Sequence, residues 1–228
     1  MTSSPDDRSQ DTWTAVDRYI TDLLVPPDAV LEATLASSEA AGLPPIQISA
    51  TQGKFLQLMA RMQCAKSILE IGTLGGYSTI WLARALSKGG KLTTLELDPT
   101  HARVASVNIA LAGLADIVDI RVGPAIETLP KLLAENQGPF DFVFIDADKP
   151  SNAEYFQWAM RLTRPGSVII VDNVVRHGDV IDATNDDPRV IGTRKFNEVL
   201  ASETRVSATT IQTVGIKGYD GFAIAVVN

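Results

Sequence analysis

The chain has 228 residues, 45% of them hydrophobic and 21% charged, with a net charge of −7 and a sequence pI near 4.8. At roughly 100–200 residues per domain that is one large domain able to bury its own core, and the single cysteine Cys64 beside His101 and His177 excludes a disulfide framework and a structural zinc site. The acidic balance speaks against nucleic acid or anionic membranes as partners, no apolar run approaches the ~18 residues that span a bilayer, and the polar start Met1 to Asp11 carries no signal pattern, which points to a soluble, cytoplasmic protein.

Trp13, Val16, Ile20, Leu23 and Leu24 recur at helical intervals, and Pro26-Pro27-Asp28 stops that helix and starts a second. Val30, Leu31, Thr34 and Leu35 stripe the second, which Gly42 and Pro44-Pro45 end. A third helix is predicted over Thr51 to Met62. From Ser67 the pattern changes to alternation: strands at Ser67–Ile71, Lys91–Leu97, Ile117–Val122, Phe140–Ile145 and Ser167–Val171, separated by helices at Tyr77–Leu86, Pro99–Ala112, Ala125–Ala134 and Ala153–Leu162. Continuous apolar runs such as Phe140–Ile145 are typical of parallel strands covered on both faces. The expected fold is therefore α/β: a doubly wound, mostly parallel Rossmann-like sheet with helices on both faces and an amino-terminal helical cap. Val174 to Arg189 is a long polar connection, of the kind that forms lids or binding loops. A helix to Leu200 follows, then Thr204–Gln212 and Gly218–Val227 as a carboxy-terminal antiparallel hairpin joined by Thr213–Lys217. The division expected is a helical segment 1–48 and a main domain 49–228.

Ligands of such sheets bind beyond the carboxyl ends of the strands. Glu70-Ile71-Gly72-Thr73-Leu74-Gly75-Gly76-Tyr77-Ser78 runs a strand into a glycine-rich turn without the GxGxxG spacing of dinucleotide sites. Its glycines let backbone approach a ligand, and Glu70 can receive an ammonium group. Glu96 ends the second strand, placed to accept from ribose hydroxyls. Ammonium plus ribose describes S-adenosylmethionine better than NAD. A second constellation ends the later strands: Asp146 behind one, Asp172-Asn173 behind the next. Two carboxylates and a carboxamide suit Mg²⁺, Mn²⁺ or Ca²⁺. Lys149, three residues after Asp146, would be usable as a base beside that cation, because the like charge favours its neutral form.

EIGTLGGYS, LELDP, VGPA, FDFVFIDADK and IIVDNV, in that order from about Ile48 to the carboxyl end, resemble the cation-dependent class I O-methyltransferases of the catechol and caffeoyl-CoA type. Gln52-Gly53-Lys54-Phe55-Leu56 and Gly218-Tyr219-Asp220-Gly221 belong to the same resemblance. It implies that Glu70, Gly72, Thr73 and Ser78 hold the methionine part of S-adenosylmethionine, Glu96 its ribose and Ala125 its adenine edge. Ile48, Gly76 and Asp146 also meet the cofactor, Asp146, Asp172 and Asn173 are the metal ligands, Lys149 is the base, and His177 touches substrate where the plant branch has asparagine. It further implies a small aromatic acceptor with vicinal hydroxyls and a homodimer. Two alternatives stand beside it: some bacterial relatives methylate a hydroxylated tRNA nucleoside, and a nicotinamide oxidoreductase shares the sheet, although it gives Asp172-Asn173 no role.

Overall fold

A computed structural model describes residues 5–228, so the start of the segment 1–48 and of the Met1–Asp11 stretch lies outside the described residues. Three helices come first: α1 (Pro5–Leu24), α2 (Ala29–Ala40) and α3 (Ala50–Met62). Asp28 caps α2, its Oδ1 accepting from the amides of Val30 (3.0 Å) and Leu31 (3.1 Å), while Arg84 binds its other oxygen at 2.6 Å. The same carboxylate thus caps α2 and pairs it with Arg84, the residue that follows Ala83. The alternation then runs β1 (Ser67–Ile71), α4 (Tyr77–Ala83), β2 (Lys91–Glu96), α5 (Pro99–Leu111), β3 (Val118–Val122), α6 (Ala125–Ala134), β4 (Phe140–Ile145), α7 (Asn152–Leu162), β5 (Thr163–Asp172) and α8 (Pro188–Ser202). The chain closes with β6 (Val206–Gly215) and β7 (Gly218–Val227).

The seven strands form one sheet in the order β3-β2-β1-β4-β5-β7-β6. β1 to β5 pair in parallel, and β7 joins β5 antiparallel with β6 outside it. Strand order thus reverses between β1 and β4, which opens a crevice where those two strands end. Side-chain alternation feeds two cores. Leu69, Ile71, Val143, Ile145, Ile169 and Val171 pack with α6, α7 and α8 on one face. Ile68, Phe142, Phe144, Val168 and Ile170 pack with α2 to α5 on the other. Both faces are therefore dry, which is why β1, β4 and β5 read as unbroken apolar runs.

Several boundaries differ from the sequence expectation, each for a local reason. Helix α4 stops at Ala83 because its last turn tightens: Ala85 donates to Leu82 O and Leu86 to Ala83 O, three residues back. The hairpin turn is only Ile216-Lys217, since Val214 and Gly215 pair with Tyr219 and Gly218. The polar stretch after β5 is tied down: Arg176–Ile181 forms 3-10 turns, and Arg194 of α8 donates to the carbonyls of Asp182 (2.5 Å) and Asn185 (3.0 Å). Among the described residues no helix is long and apolar enough to cross a membrane.

Candidate active site

The ends of β1 and β4 set the site. The Gly72 amide donates to Leu95 O of β2 (3.0 Å) and the Asp146 amide to Ile71 O (2.9 Å), so the chain leaves β1 wedged between both neighbours. Gly72 has φ +101°, and a Cβ there would stand 2.0 Å from the Asp146 carbonyl oxygen. Only glycine permits that approach. Glu96, at the end of β2, holds the turn that follows. Its Oε2 accepts from the amides of Thr73 (3.1 Å) and Leu74 (2.8 Å) and its Oε1 from the Asp98 amide (2.9 Å). His101 Nδ1 lies 3.5 Å from the same carboxylate. Above it opens a cavity of about 780 Å³, walled by the glycine turn, Glu96, Ala125 at the start of α6, Asp146 to Lys149 and Ile46 to Ile48. That is the size of a cofactor site. Glu96, Asp146, Asp148 and Glu154 line it against Lys149 and His101, an acidic balance that suits a cationic ligand.

Beneath the floor, Glu70 is fully buried and accepts hydrogen bonds from the hydroxyls of Ser78 (2.6 Å), Thr79 (2.5 Å) and Thr94 (2.7 Å). Burial, opposed by these hydroxyls, pushes its carboxyl up from 4.5 to about 7. The folded state then binds the proton more tightly than the unfolded chain between about pH 4.5 and 7, so stability falls across that window and the loss stays constant above it. Glu70→Gln is expected to stabilise the fold at about pH 8, by on the order of 3 kcal/mol, and to change little near pH 4. Thermal melts at the two pH values check this; equal shifts at both would show that Glu70 does not titrate in the fold.

Asp146 follows β4 and Asp172 closes β5, with Ile145 and Val171 paired in register just before them. Asp172 is buried, and its carboxyl is raised first by burial and then by the charge of Asp146, partly relieved by Lys149 and by a hydrogen bond from Gln52 of α3. Asn173, next in the chain, takes φ 58° and lines the large cavity. Lys149 Nζ donates to Asp146 Oδ1 at 2.9 Å. The lysine's backbone is seated on α8, where a Cβ on Gly192 would meet Lys149 O at 2.5 Å. Among the described residues no group of three or more His, Cys, Asp or Glu is arranged to hold a metal ion by itself, so any donor set here draws on a carboxamide as well as carboxylates. Asp172, raised in part by the charge of Asp146, and the carboxamide of Asn173, which lines the cavity with Asp146, are oxygen donors of the kind that fit a hard divalent cation. A smaller cavity of about 280 Å³ is lined by Gln52, the hydrogen-bond partner of Asp172, and by Asp17, Phe55, Lys217 and Phe222. Phe55 and Phe222 stand with ring centroids 4.9 Å apart.

Comparison with known proteins decides the family. Residues 28–224 match the family described as O-methyltransferase. The chain belongs to that family. It is 57% identical to a catechol O-methyltransferase of Niastella koreensis over 214 residues, covering 93% of this chain and 96% of that one. The crystal structure of an O-methyltransferase from Bacillus cereus in complex with SAH superposes with a TM-score of 0.94 at 58% identity, over 96% of this chain and 99% of that one. TomG from Streptomyces achromogenes, an O-methyltransferase of tomaymycin synthesis solved in complex with SAM, gives 0.93 at 47% identity over the whole of both chains.

Within this O-methyltransferase fold, the structure gathers most of the residues singled out from sequence. Ile48, Gly72, Thr73, Ser78, Glu96, Ala125, Asp146, Lys149 and Asn173 all line the large cavity. Glu70 lies behind Ser78 rather than on the surface of the cavity, and Gly76 is the left-handed cap of α4 at φ +85°. Asp172 sits behind Asn173, its side chain bonded by Gln52. His177 is exposed and lies outside both cavities, with its ring near Gly218 at the start of β7. Sequence reading passed over His101, Tyr155 and Gln52. Tyr155 Oη donates to Asp148 at 2.5 Å, seven residues apart across the turn into α7, a contact that no periodicity signals. Gln52 stood in a quoted motif, but its role depends on α3 meeting the end of β5.

Proposed function

We propose that the protein transfers a methyl group from S-adenosylmethionine to a hydroxyl of a small catechol-like acceptor, with a divalent cation, Mg²⁺ first among Mg²⁺, Mn²⁺ and Ca²⁺, held by Asp146, Asp172 and Asn173. What supports this reading is that Asp146 and Asn173 line the cofactor-sized cavity, while Gln52, which bonds Asp172, lines a smaller cavity flanked by Phe55 and Phe222. In the large cavity Glu96 would meet the ribose, Ala125 the adenine edge, and Ser78, held from behind by Glu70, the methionine end. Asp146, Asp172 and Asn173 would hold the cation, and the chemistry it would supply there is Lewis-acid polarisation of the acceptor's vicinal oxygens. Lys149, whose Nζ stands at Asp146, takes the proton of the reacting hydroxyl. The walls contribute orientation and exclude water, and such positioning is worth ~7–11 kcal/mol of barrier at best. The helical segment 1–48 acts as a cap, since Leu35, Ser38 and Ile46 to Ile48 complete the cavity wall.

The deciding experiment is calorimetric titration with S-adenosylmethionine, followed by turnover of 3,4-dihydroxybenzoate with Mg²⁺ or with chelator. Micromolar cofactor binding and methylation that stops in chelator are expected. Undiminished turnover in chelator would sink the metal site. Cofactor binding without turnover would favour larger acceptors, a hydroxylated tRNA nucleoside among them.

The same reading includes a homodimer. Helix α1 exposes Val16, Tyr19, Ile20, Leu23 and Leu24 together, a run of apolar surface of the kind that marks self-association. Light scattering is expected to give twice the 24.5 kDa chain mass, and Leu23→Glu with Leu24→Glu should halve it. A monomeric wild type would remove this assignment.

A further inference from the structure

Where β5 ends, the chain enters an unfavourable conformation. Asn173, Arg176 and His177 have φ of 58°, 54° and 57°, and Gly178 follows at 95°. Three non-glycine residues in the left-handed region within five positions persist only where the surroundings impose them. The hydrogen bonds show what imposes them. The Asn173 amide donates to Asp172 Oδ1 (2.9 Å), and the Val174 amide to Gly221 O of β7 (3.0 Å). The next two amides, of Val175 and Arg176, both donate to Asp220 Oδ1, at 3.0 and 2.9 Å. Val175 is right-handed, at φ −110° and ψ −32°, and Arg176 left-handed. Successive amides in that right-then-left order form a concave nest for an anion. Here the anion is the Asp220 carboxylate, delivered from β7.

Asp220 is anchored in turn. Its Oδ1 also accepts from the Gly221 amide at 3.0 Å, and the Arg176 guanidinium lies 3.6 Å from Oδ2. Arg176 Nε is buried without a hydrogen-bond partner, so Asp220 is the counter-charge for a guanidinium otherwise poorly satisfied. Gly221 leaves no room for adjustment: a Cβ there would fall 2.5 Å from Ile211 O and 2.7 Å from Val175 Cγ2. The carboxylate therefore approaches the turn from a rigid strand, along bonds made stronger by its charge.

We propose that Asp220 is a positioning residue: by filling the Val175–Arg176 nest it holds the turn after β5 in the left-handed shape that brings Asn173 to the cavity beside Asp146 and Asp172. It touches neither cofactor nor acceptor. This rests on the metal reading above, because the purpose of the position is to present the third oxygen ligand. A residue acting through a ligand in this way is worth about 10–100-fold in metal affinity.

The test uses the full chain saturated with SAH, with Mn²⁺ as the probe. Free Mn²⁺ is read by electron paramagnetic resonance, and amide hydrogen exchange of Val175 and Arg176 is followed on the same samples. Asp220→Ala is expected to weaken Mn²⁺ binding about 100-fold and Asp220→Asn, which keeps an acceptor oxygen, about tenfold. Both should speed exchange at the two amides while SAH affinity holds. Because Asp220→Ala also strands the Arg176 guanidinium, the double variant Asp220→Asn with Arg176→Met is measured alongside and should match Asp220→Asn. Mn²⁺ affinity or amide exchange unchanged in Asp220→Ala would overturn the proposal, as would an equal loss of SAH affinity. A wild type that takes up no Mn²⁺ would instead remove the metal site and, with it, the role given to Asp220.

Discussion

Asp172→Ala is expected to lower kcat/KM by about 10³-fold or more and leave S-adenosylmethionine affinity within about twofold, because polarisation of the acceptor by a cation is worth several kcal/mol. The side chain closes β5 and is buried behind Asn173, away from the large cavity's lining, so its loss need not disturb the cofactor. The same substitution should act in the opposite direction on the metal-free fold. Asp172 is held above its ordinary range by burial and by Asp146; a raised acid costs stability as pH rises through its folded value. In chelator near neutral pH the variant should therefore melt at or above the wild type, and added Mg²⁺ should raise the wild type alone. Melts with and without Mg²⁺, beside steady-state rates, check both halves. A variant that is inactive because it melts lower in chelator would mean that Asp172 is structural.

Lys149→Met keeps an unbranched, flexible stem and the backbone seat against α8, and removes the ammonium bonded to Asp146 at 2.9 Å. A positioned base contributes about 10²–10⁴-fold, and kcat is expected to fall within that range while cofactor affinity and KM hold. Without the base, the surviving rate should follow ionisation of the acceptor in solution and climb about tenfold per pH unit below the acceptor's own pKa. A variant within about threefold of the wild type at neutral pH would assign the deprotonation to the metal alone.

Much of this was legible because its signals are local. The runs Ser67–Ile71, Phe140–Ile145 and Ser167–Val171 are apolar on both faces, which only a doubly covered parallel sheet tolerates. The glycine turn was legible as a place where backbone comes close to a ligand, but what requires Gly72 in the structure is its approach to the Asp146 carbonyl. Acids directly behind strands marked Asp146 and Asp172, since strand ends on one edge of a parallel sheet converge. The polar stretch after β5, read from sequence as a lid or binding loop, owes its shape to partners that its own residues do not reveal. Its carbonyls are bound by Arg194 and its amides by Asp220, partners 9 to 45 residues distant.

By itself the sequence determined the α/β alternation, the glycine turn, the acids at the strand ends and the O-methyltransferase motifs, all of which are encoded within a few consecutive residues. The tertiary structure decided what depends on long-range packing. It set the reversal of strand order between β1 and β4, and it put Glu70 behind Ser78. It made Glu96 a clamp on the turn as well as a wall of the cavity, and it left His177 outside both cavities. It also brought β7 to the end of β5, where Asp220 meets two amides that nothing in the local sequence marks as a nest. A side chain's type and spacing fix what it can donate or accept; only the packed sheet fixes which partner stands within 3 Å of it.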